Sequence, residues 1–276
     1  MIYKGVHSAS LLSGDNMTEK EELISHILDL KEKAASDGVV TSSSFLSLDE
    51  ISDIIKLEHI NNKYVDTFYY GGYDEAERKV VIFIPEFYAV DEASLEEFLD
   101  ENGYNPLDLL YIKKDKFTTL THRDYLGAIM GLGLKRETTG DIIPKDDSCS
   151  VFCLKSVSSY ITENLKQAGR GSVSVTLCDK NEFSVKASET ETVFVSVASM
   201  RLDCLVAAAF KLSRPSAAEA IKQGVIYVNS AQVTKNDFTL KTGDKLVLRG
   251  KGKVLIGEAT GYSKKGRIHL NIKRYL

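Results

Sequence analysis

The sequence predicts an α+β protein made of three units: a small helical N-terminal unit, an α/β middle domain and a C-terminal domain of two helices packed on a small antiparallel sheet. Three observations predict this class. Helix-capping signals dominate the first sixty residues, strand and helix patterns alternate between about residues 80 and 177, and two short helix patterns precede alternating strands after residue 199. A chain of 276 residues is long enough for two or three compact units.

Two capping boxes mark the helices of the N-terminal unit. Thr18 with Glu21, and Ser47 with Glu50, have the spacing at which a hydroxyl and a carboxylate satisfy free amides at a helix start. Apolar residues at helical spacing follow each box, so we expect a helix in each place. Residues 1–16 have no periodic pattern and are expected to be a disordered leader.

The middle of the chain changes to alternating strands and helices. Val80 to Ile84 is a β-branched and aromatic run typical of a buried strand, and Ser94 with Glu97 predicts the next helix. A strand at 150–154, a further helix and a further strand complete an α/β layer domain. The expected boundaries are a leader at 1–16, a helical unit at 17–75, the middle domain at 76–185, a polar linker at 186–198 and the C-terminal domain at 199–276.

The stretch THRDYLGAIMGLGLKRETTGD, from Thr121 to Asp141, contains a His-Arg-Asp triplet and four glycines. A kinase catalytic loop needs asparagine where Ile129 stands, and the glycines do not have the spacing of a phosphate-binding loop. Thr121 followed by Asp124 instead predicts a helix start. The basic side chains at that helix start and beyond it remain a second candidate contact with phosphate: His122, Arg123, Lys135 and Arg136.

Metal, cofactor and membrane chemistry have no support in the sequence. The four cysteines lack CxxC spacing and the histidines are isolated, so we expect reduced core cysteines, no metal and no cofactor. No run of eighteen apolar residues occurs, and the chain start lacks the pattern of a secretory signal. We therefore expect a cytoplasmic protein with no membrane partner.

Charge is distributed unevenly along the chain. From Ser199 onward there are 15 Lys or Arg against 5 Asp or Glu, although the whole chain has a net charge of -4. A small basic domain joined to an acidic remainder favours a polyanionic ligand on the basic part.

The basic segment predicts two short helices. Leu202, Leu205 and Val206 begin one apolar stripe, and Ser213 can cap a second helix that ends at Gly224. Arg214 and Lys222 lie eight residues apart, on one side of that second helix. In the strands that follow, one side carries leucines and the other a predicted basic face: Lys245, Arg249, Lys251 and Lys253.

The segments RLDCLV from Arg201, SRPSAAEAIKQGVIYVN from Ser213 and GDKL from Gly243 resemble the RNA-binding domain named after the small-subunit ribosomal protein S-four. The resemblance covers about seventy residues and implies contact with the phosphate backbone of structured RNA. We expect Asp203 to orient a nearby arginine, since a carboxylate repels phosphate. The residues that the resemblance assigns to RNA binding are Arg201, Asp203, Lys211, Ser213, Arg214, Ser216 and Lys222, and the basic face adds Lys251 and Lys253.

The order of the three units, together with LTHRDYLGAIMGLGLKRETTGD from Leu120, is similar to the YlmH family of bacterial ribosome-associated proteins. That resemblance spans roughly residues 17–276. It implies a middle domain loosely like an RNA-recognition fold. It also implies a non-enzymatic protein that binds rRNA and tRNA on the large ribosomal subunit, with no DNA ligand, in rescue or quality control of stalled peptidyl-tRNA, alongside a protein partner.

Two alternatives remain open from the residues alone. One is an RNA-modifying enzyme of the pseudouridine synthase or methyltransferase type, with an unfamiliar site around His122, Arg123 and Asp124. The other is an RNA-tethered interaction protein whose acidic N-terminal half recruits another protein.

Overall fold

The computed structural model describes residues 18–57, 64–179, 183 and 190–275. The expected leader at 1–16 and His59 lie outside these ranges. Helices and strands are mixed throughout three successive units, which confirms the α+β class, and the C-terminal unit has two helices packed on an antiparallel sheet. No described helix is both long and apolar enough to cross a membrane.

The N-terminal unit contains a sheet as well as helices. Both predicted capping boxes are present, with the Thr18 amide donating to Glu21 at 2.8 Å and the Ser47 amide donating to Glu50 at 2.6 Å. The elements are α1 (Glu19–Asp37), β1 (Thr41–Ser42), α2 (Leu48–Ile55), β2 (Val65–Tyr70), β3 (Val80–Pro85) and α3 (Leu95–Glu101). Strand β3 pairs antiparallel with both β1 and β2.

This sheet changes the expected organisation in two respects. The unit is not purely helical, and the boundary expected between residues 75 and 76 falls between two strands of one sheet. The start of α3 also differs, because Ser94 makes no capping bond and its hydroxyl donates instead to Asp91 at 2.7 Å. Helices α1 and α2 cover one face of the sheet, and α3 packs on the other.

The middle domain is an antiparallel sheet with two helices on one face. Its elements are β4 (Leu107–Lys114), α4 (His122–Gly131), β5 (Thr139–Pro144), β6 (Ser148–Leu154), α5 (Lys155–Asn164), β7 (Gln167–Ala168) and β8 (Gly171–Cys178). The strand order is β5-β6-β4-β8-β7. Tyr125 of α4 and Ile161 of α5 are buried against this sheet. On the opposite face, Leu109 and Phe152 pack against the N-terminal unit, which joins the two units through a shared core.

The C-terminal domain begins earlier than expected. Its elements are β9 (Thr190–Val197), α6 (Leu202–Ala209), α7 (Arg214–Lys222), β10 (Ile226–Val228), β11 (Ala231–Gln232), β12 (Lys245–Leu248), β13 (Gly252–Tyr262) and β14 (Ile268–Tyr275). Strand β9 lies within the expected linker at 186–198, and it pairs along its whole length with β14. The described part of that segment is therefore an edge strand of a six-stranded sheet rather than a linker.

One face of the six-stranded sheet packs on α6 and α7, and the other contacts the N-terminal unit. Two acidic residues of that unit meet the basic side of the sheet. Asp49 accepts a hydrogen bond from Arg249 at 2.7 Å and one from the Tyr227 hydroxyl. Glu75 pairs with Lys253 at 2.9 Å and with Lys245 at 3.6 Å. Carboxylates of the N-terminal unit that pair with cations of the C-terminal domain thus hold the two units together.

Candidate functional site

The candidate site lies at the starts of α6 and α7, on the helical side of the C-terminal domain. The contacts with the N-terminal unit lie on the opposite face of the sheet. Arg201 is the residue before the first turn of α6, and its own carbonyl accepts the amide of Leu205 at 3.0 Å. The amide of Leu202 donates to Phe238 at 2.7 Å, which anchors the helix start to the following loop. The backbone therefore fixes where the Arg201 side chain starts.

Asp203 joins the two predicted RNA-binding arginines. Arg201 Nε donates to Asp203 Oδ1 at 3.1 Å, and Arg214 Nη2 donates to Asp203 Oδ2 at 2.9 Å. The Asp203 side chain is 12% exposed, whereas those of Arg201 and Arg214 are 46% and 54% exposed. Two cations share one carboxylate, so the cluster retains a net positive charge and presents both guanidinium groups to solvent.

The protonation state of Asp203 follows from this arrangement. Burial alone would raise the pKa of the carboxyl group, but the hydrogen bond from Arg201 and the charges of Arg214 and Arg201 outweigh burial and hold the pKa below its usual value. The same hydrogen bond raises the pKa of Arg201. Asp203 is therefore ionised at neutral pH and orients both arginines, as expected for a residue that does not itself meet phosphate.

The other residues predicted to bind RNA in this segment lie in the turn before α7, at the start of α7 and at its end. Ser213 caps α7, where its hydroxyl accepts the amide of Ser216 at 3.1 Å and lies 2.7 Å from the Ser216 hydroxyl. Lys211 is exposed in the connecting turn, with a left-handed backbone at a φ of 52°. Lys222 is exposed in the last turn of α7, about 12 Å along the helix from Arg214. Within the described part of the chain, the ion pairs of Asp203 are with Arg201 and Arg214 alone.

The structure corrects the prediction for Lys253. Its side chain is only 17% exposed, its ammonium pairs with Glu75, and it lies 4.7 Å from the centre of the Tyr275 ring. Lys245 and Arg249 on the same sheet face also pair with the N-terminal unit. The alternation of leucines and cations along β12 predicts this basic face of the sheet, but it does not predict that the N-terminal unit covers the face. Lys251, in the turn between β12 and β13, remains exposed.

The second predicted group divides into exposed and structural residues. His122 and Arg123 are exposed in the first turn of α4, and Lys135 is exposed with Glu137 3.7 Å away. Arg136, in contrast, donates to the carbonyl oxygens of Thr139 and Gly140. Burial first, and then the charge of Arg78, lowers the pKa of Arg136 to about 10. Arg136 therefore holds the backbone at the start of β5 in place, and its phosphate contact stays a prediction.

The His-Arg-Asp triplet occupies the first turn of α4. The Asp124 carboxylate accepts the amide of Thr121 at 2.8 Å and the hydroxyl of the same residue at 2.7 Å, as the predicted helix start requires. Among the described residues, no three His, Cys, Asp or Glu side chains are grouped as a metal site. The triplet thus begins a helix.

Two features of the site were not apparent in the sequence. Arg214 Nη1 lies 2.9 Å from Cys204 Sγ, a contact between residues ten apart. The carboxylates that cover the basic sheet face, Asp49 and Glu75, come from a unit about two hundred residues earlier in the chain. Neither contact has a local sequence signal, because the first depends on how α6 packs against α7 and the second on how the N-terminal unit packs against the C-terminal sheet.

Two helices on an antiparallel sheet, with paired arginines at the helix starts, define an RNA-binding protein with a C-terminal S-four domain. Comparison with known families agrees: residues 104–182 match the family described as "Putative RNA-binding domain in YlmH", and residues 200–246 match the S4 domain. The chain is 31% identical over 204 residues to the ribosome-associated protein quality control protein P2 of Bacillus subtilis, an alignment that covers 74% of this chain and 76% of that protein.

The chain belongs to the YlmH family. A solved structure described as cell division protein ylmH from Streptococcus pneumoniae is 14% identical, with a TM-score of 0.47, and the match covers 62% of this chain and 98% of that one. The two matched domains and the Bacillus subtilis relative confirm the family resemblance expected from the sequence, and with it the RNA-binding class.

Proposed function

We propose that this protein binds rRNA and tRNA on the large ribosomal subunit in the cytoplasm, where it acts without catalysis in the rescue of stalled peptidyl-tRNA complexes. The observation that carries the proposal is the cluster in which Asp203 holds Arg201 and Arg214 half exposed. The name of the Bacillus subtilis relative, which refers to ribosome-associated quality control, supports the setting.

Stabilisation by contact is the mechanism that this geometry supports. Arg201 and Arg214 bind phosphate oxygens, for which the planar guanidinium group is well suited. Lys211, in the turn before α7, and Lys222, in its last turn, are further exposed cations of the same segment. A domain of this kind holds an RNA helix in one position through its backbone and shape, with little reading of the bases.

Co-sedimentation with purified large ribosomal subunits tests the proposal. We expect the double variant Arg201→Ala, Arg214→Ala to lose co-sedimentation, and each single variant to reduce the slope of log affinity against log salt by about one unit. Lys265→Ala is the matched control, because Lys265 is an exposed cation in the distant β13–β14 turn. Unchanged sedimentation of a folded double variant would refute the proposal.

A further inference from the structure

Phe117 is a large apolar side chain that the protein leaves almost entirely in water. It lies between β4 and α4 and is 99% exposed, more than any other large hydrophobic side chain among the described residues. Scattered exposed hydrophobic residues are ordinary, so exposure alone carries no function. What distinguishes Phe117 is how it is held and what surrounds it.

The turn that carries Phe117 is fixed by Asp115. Asp115 Oδ1 accepts the Phe117 amide at 2.9 Å and the Thr118 hydroxyl at 2.7 Å. Asp115 Oδ2 accepts the amide of Ser172 at 3.0 Å, which ties the turn to β8. Lys114 Nζ donates to the Thr118 carbonyl at 2.6 Å and closes the other side. Phe117 is thus presented from an ordered backbone, so little conformational entropy is lost when it makes a contact.

Cations flank this turn. Lys113 and Lys116 are exposed on either side of Asp115, and Arg170 precedes Gly171, whose backbone packs against Thr118. None of these three cations forms an ion pair within the described part of the chain, whereas the Asp115 carboxylate is occupied by hydrogen bonds. Three cations thus lie beside the turn, together with the Asp115 carboxylate and the exposed carboxylates of Asp146 and Asp147, in the neighbouring loop that meets β4 at Lys114.

This combination favours an RNA ligand over a protein partner. An aromatic anchor in a protein interface is normally ringed by further residues that exclude water. The chain neighbours of Phe117 are instead Lys116 and Thr118, which are polar. An exposed aromatic ring among cations is the arrangement that stacks on an unpaired base while the cations contact the flanking phosphates.

We propose that Phe117 stacks on an unpaired nucleobase of the bound RNA, with Lys113, Lys116 and Arg170 contacting the adjoining phosphates. The inference rests on the proposed RNA-binding function and assigns to the middle domain a contact separate from the arginine cluster. It requires a loop, bulge or end in the RNA, because bases within a duplex are already stacked.

The full-length chain allows a direct test because it contains no tryptophan. Phe117→Trp therefore introduces a single fluorophore at the proposed contact. The probes are an RNA hairpin with an unpaired loop and a fully paired RNA duplex with the same number of phosphates. Anisotropy of labelled RNA reports binding, and tryptophan emission reports stacking. We expect the hairpin to quench emission as it binds and the duplex to leave emission nearly unchanged.

Phe87→Trp is the matched control, because Phe87 is also exposed but follows Glu86 in the N-terminal unit, and its emission should not respond. Phe117→Ala should weaken hairpin binding roughly 5- to 100-fold, the range measured for base–aromatic stacking, while leaving duplex binding unchanged. Hairpin binding without quenching would overturn this inference alone. If Phe117→Ala left hairpin binding unchanged, the stacking contact would likewise be overturned. Failure to bind either RNA would overturn the proposed function as well.

Discussion

Replacing Asp203 with asparagine separates the two roles that a carboxylate can have in a phosphate-binding cluster. The substitution keeps the shape of the side chain and removes its charge. If Asp203 only repelled RNA, the variant would bind more tightly. If Asp203 orients Arg201 and Arg214, as the distances of 3.1 and 2.9 Å indicate, the variant binds more weakly.

The expected size follows from the geometry. A mobile arginine has about 2 kcal/mol of rotamer entropy. Asp203 holds one edge of each guanidinium, and each arginine is about half exposed. We therefore assume that each arginine has lost roughly half of its rotamer entropy, about 1 kcal/mol, before RNA binds, which gives ~2 kcal/mol for the pair. Removing the carboxylate relieves a repulsion of ~0.7 kcal/mol with a phosphate about 6 Å away in water. The difference, ~1.3 kcal/mol, corresponds to roughly tenfold weaker binding.

Stability supplies a second measurement on the same variant. We expect Asp203→Asn to lower the free energy of unfolding by about 1–2 kcal/mol at pH 7, reduced from the value for buried charged hydrogen bonds because both arginines are half exposed. The folded-state pKa of Asp203 is depressed, so its contribution is present above the unfolded pKa of about 3.9 and is lost as pH falls towards the folded value. The difference between the two proteins should therefore narrow below about pH 4.

RNA anisotropy titrations at several salt concentrations, and urea unfolding at pH 7 and pH 3.5, provide the assay. Glu258→Asn is the control for loss of a surface charge, because Glu258 is exposed on β13. Tighter RNA binding by Asp203→Asn, together with unchanged unfolding at pH 7, would refute the orienting role.

Three further outcomes are expected from other parts of the structure. Glu75→Gln should lower the free energy of unfolding by about 2–4 kcal/mol, because it removes the negative charge that pairs with the nearly buried Lys253. An equal loss for Glu258→Gln, measured by urea unfolding, would contradict this. Gly72→Ala should lower the free energy of unfolding by about 2–4 kcal/mol, because the residue has a φ of +88° and a Cβ would lie 2.3 Å from the buried Phe152 ring. Gly103→Ala, at a φ of +71° but with open space around the added Cβ, should lower it by about 1 kcal/mol in the same measurement. Burial raises the pKa of Cys149 and of Cys153 to about 12, so neither should react with a thiol reagent at pH 8 until urea unfolds the chain, and labelling of either in the folded protein would contradict this.

Contacts made within one helical turn can be predicted from the sequence, whereas contacts between units cannot. The boxes at Thr18 and Ser47 and the cap at Ser213 form as predicted, because each depends on residues within one turn. Strand β9 was missed because its pairing partner, β14, lies about eighty residues later and its outward side chains are polar or exposed. Alternation in β12 identified a basic face correctly, but only the folded chain shows that Asp49 and Glu75 cover it.

In the candidate site, too, the sequence identifies individual residues but not all of their contacts. Arg201 and Arg214 were recognised from a motif, and their joint orientation by Asp203 was partly anticipated from electrostatics. The sequence gives the charges of Arg136 and Lys253 but not what each side chain contacts, which is backbone carbonyls for Arg136 and Glu75 for Lys253.

The carboxylates that meet the β12 and β13 lysines also limit how many nucleic-acid strands the S-four domain can engage. A domain with free cations on both sides would bridge two RNA helices and cross-link them at high concentration. Because Lys245, Arg249 and Lys253 pair within the chain, we expect the domain to engage one RNA helix, through the arginine cluster. Its bound orientation then dictates the direction in which the other two units project.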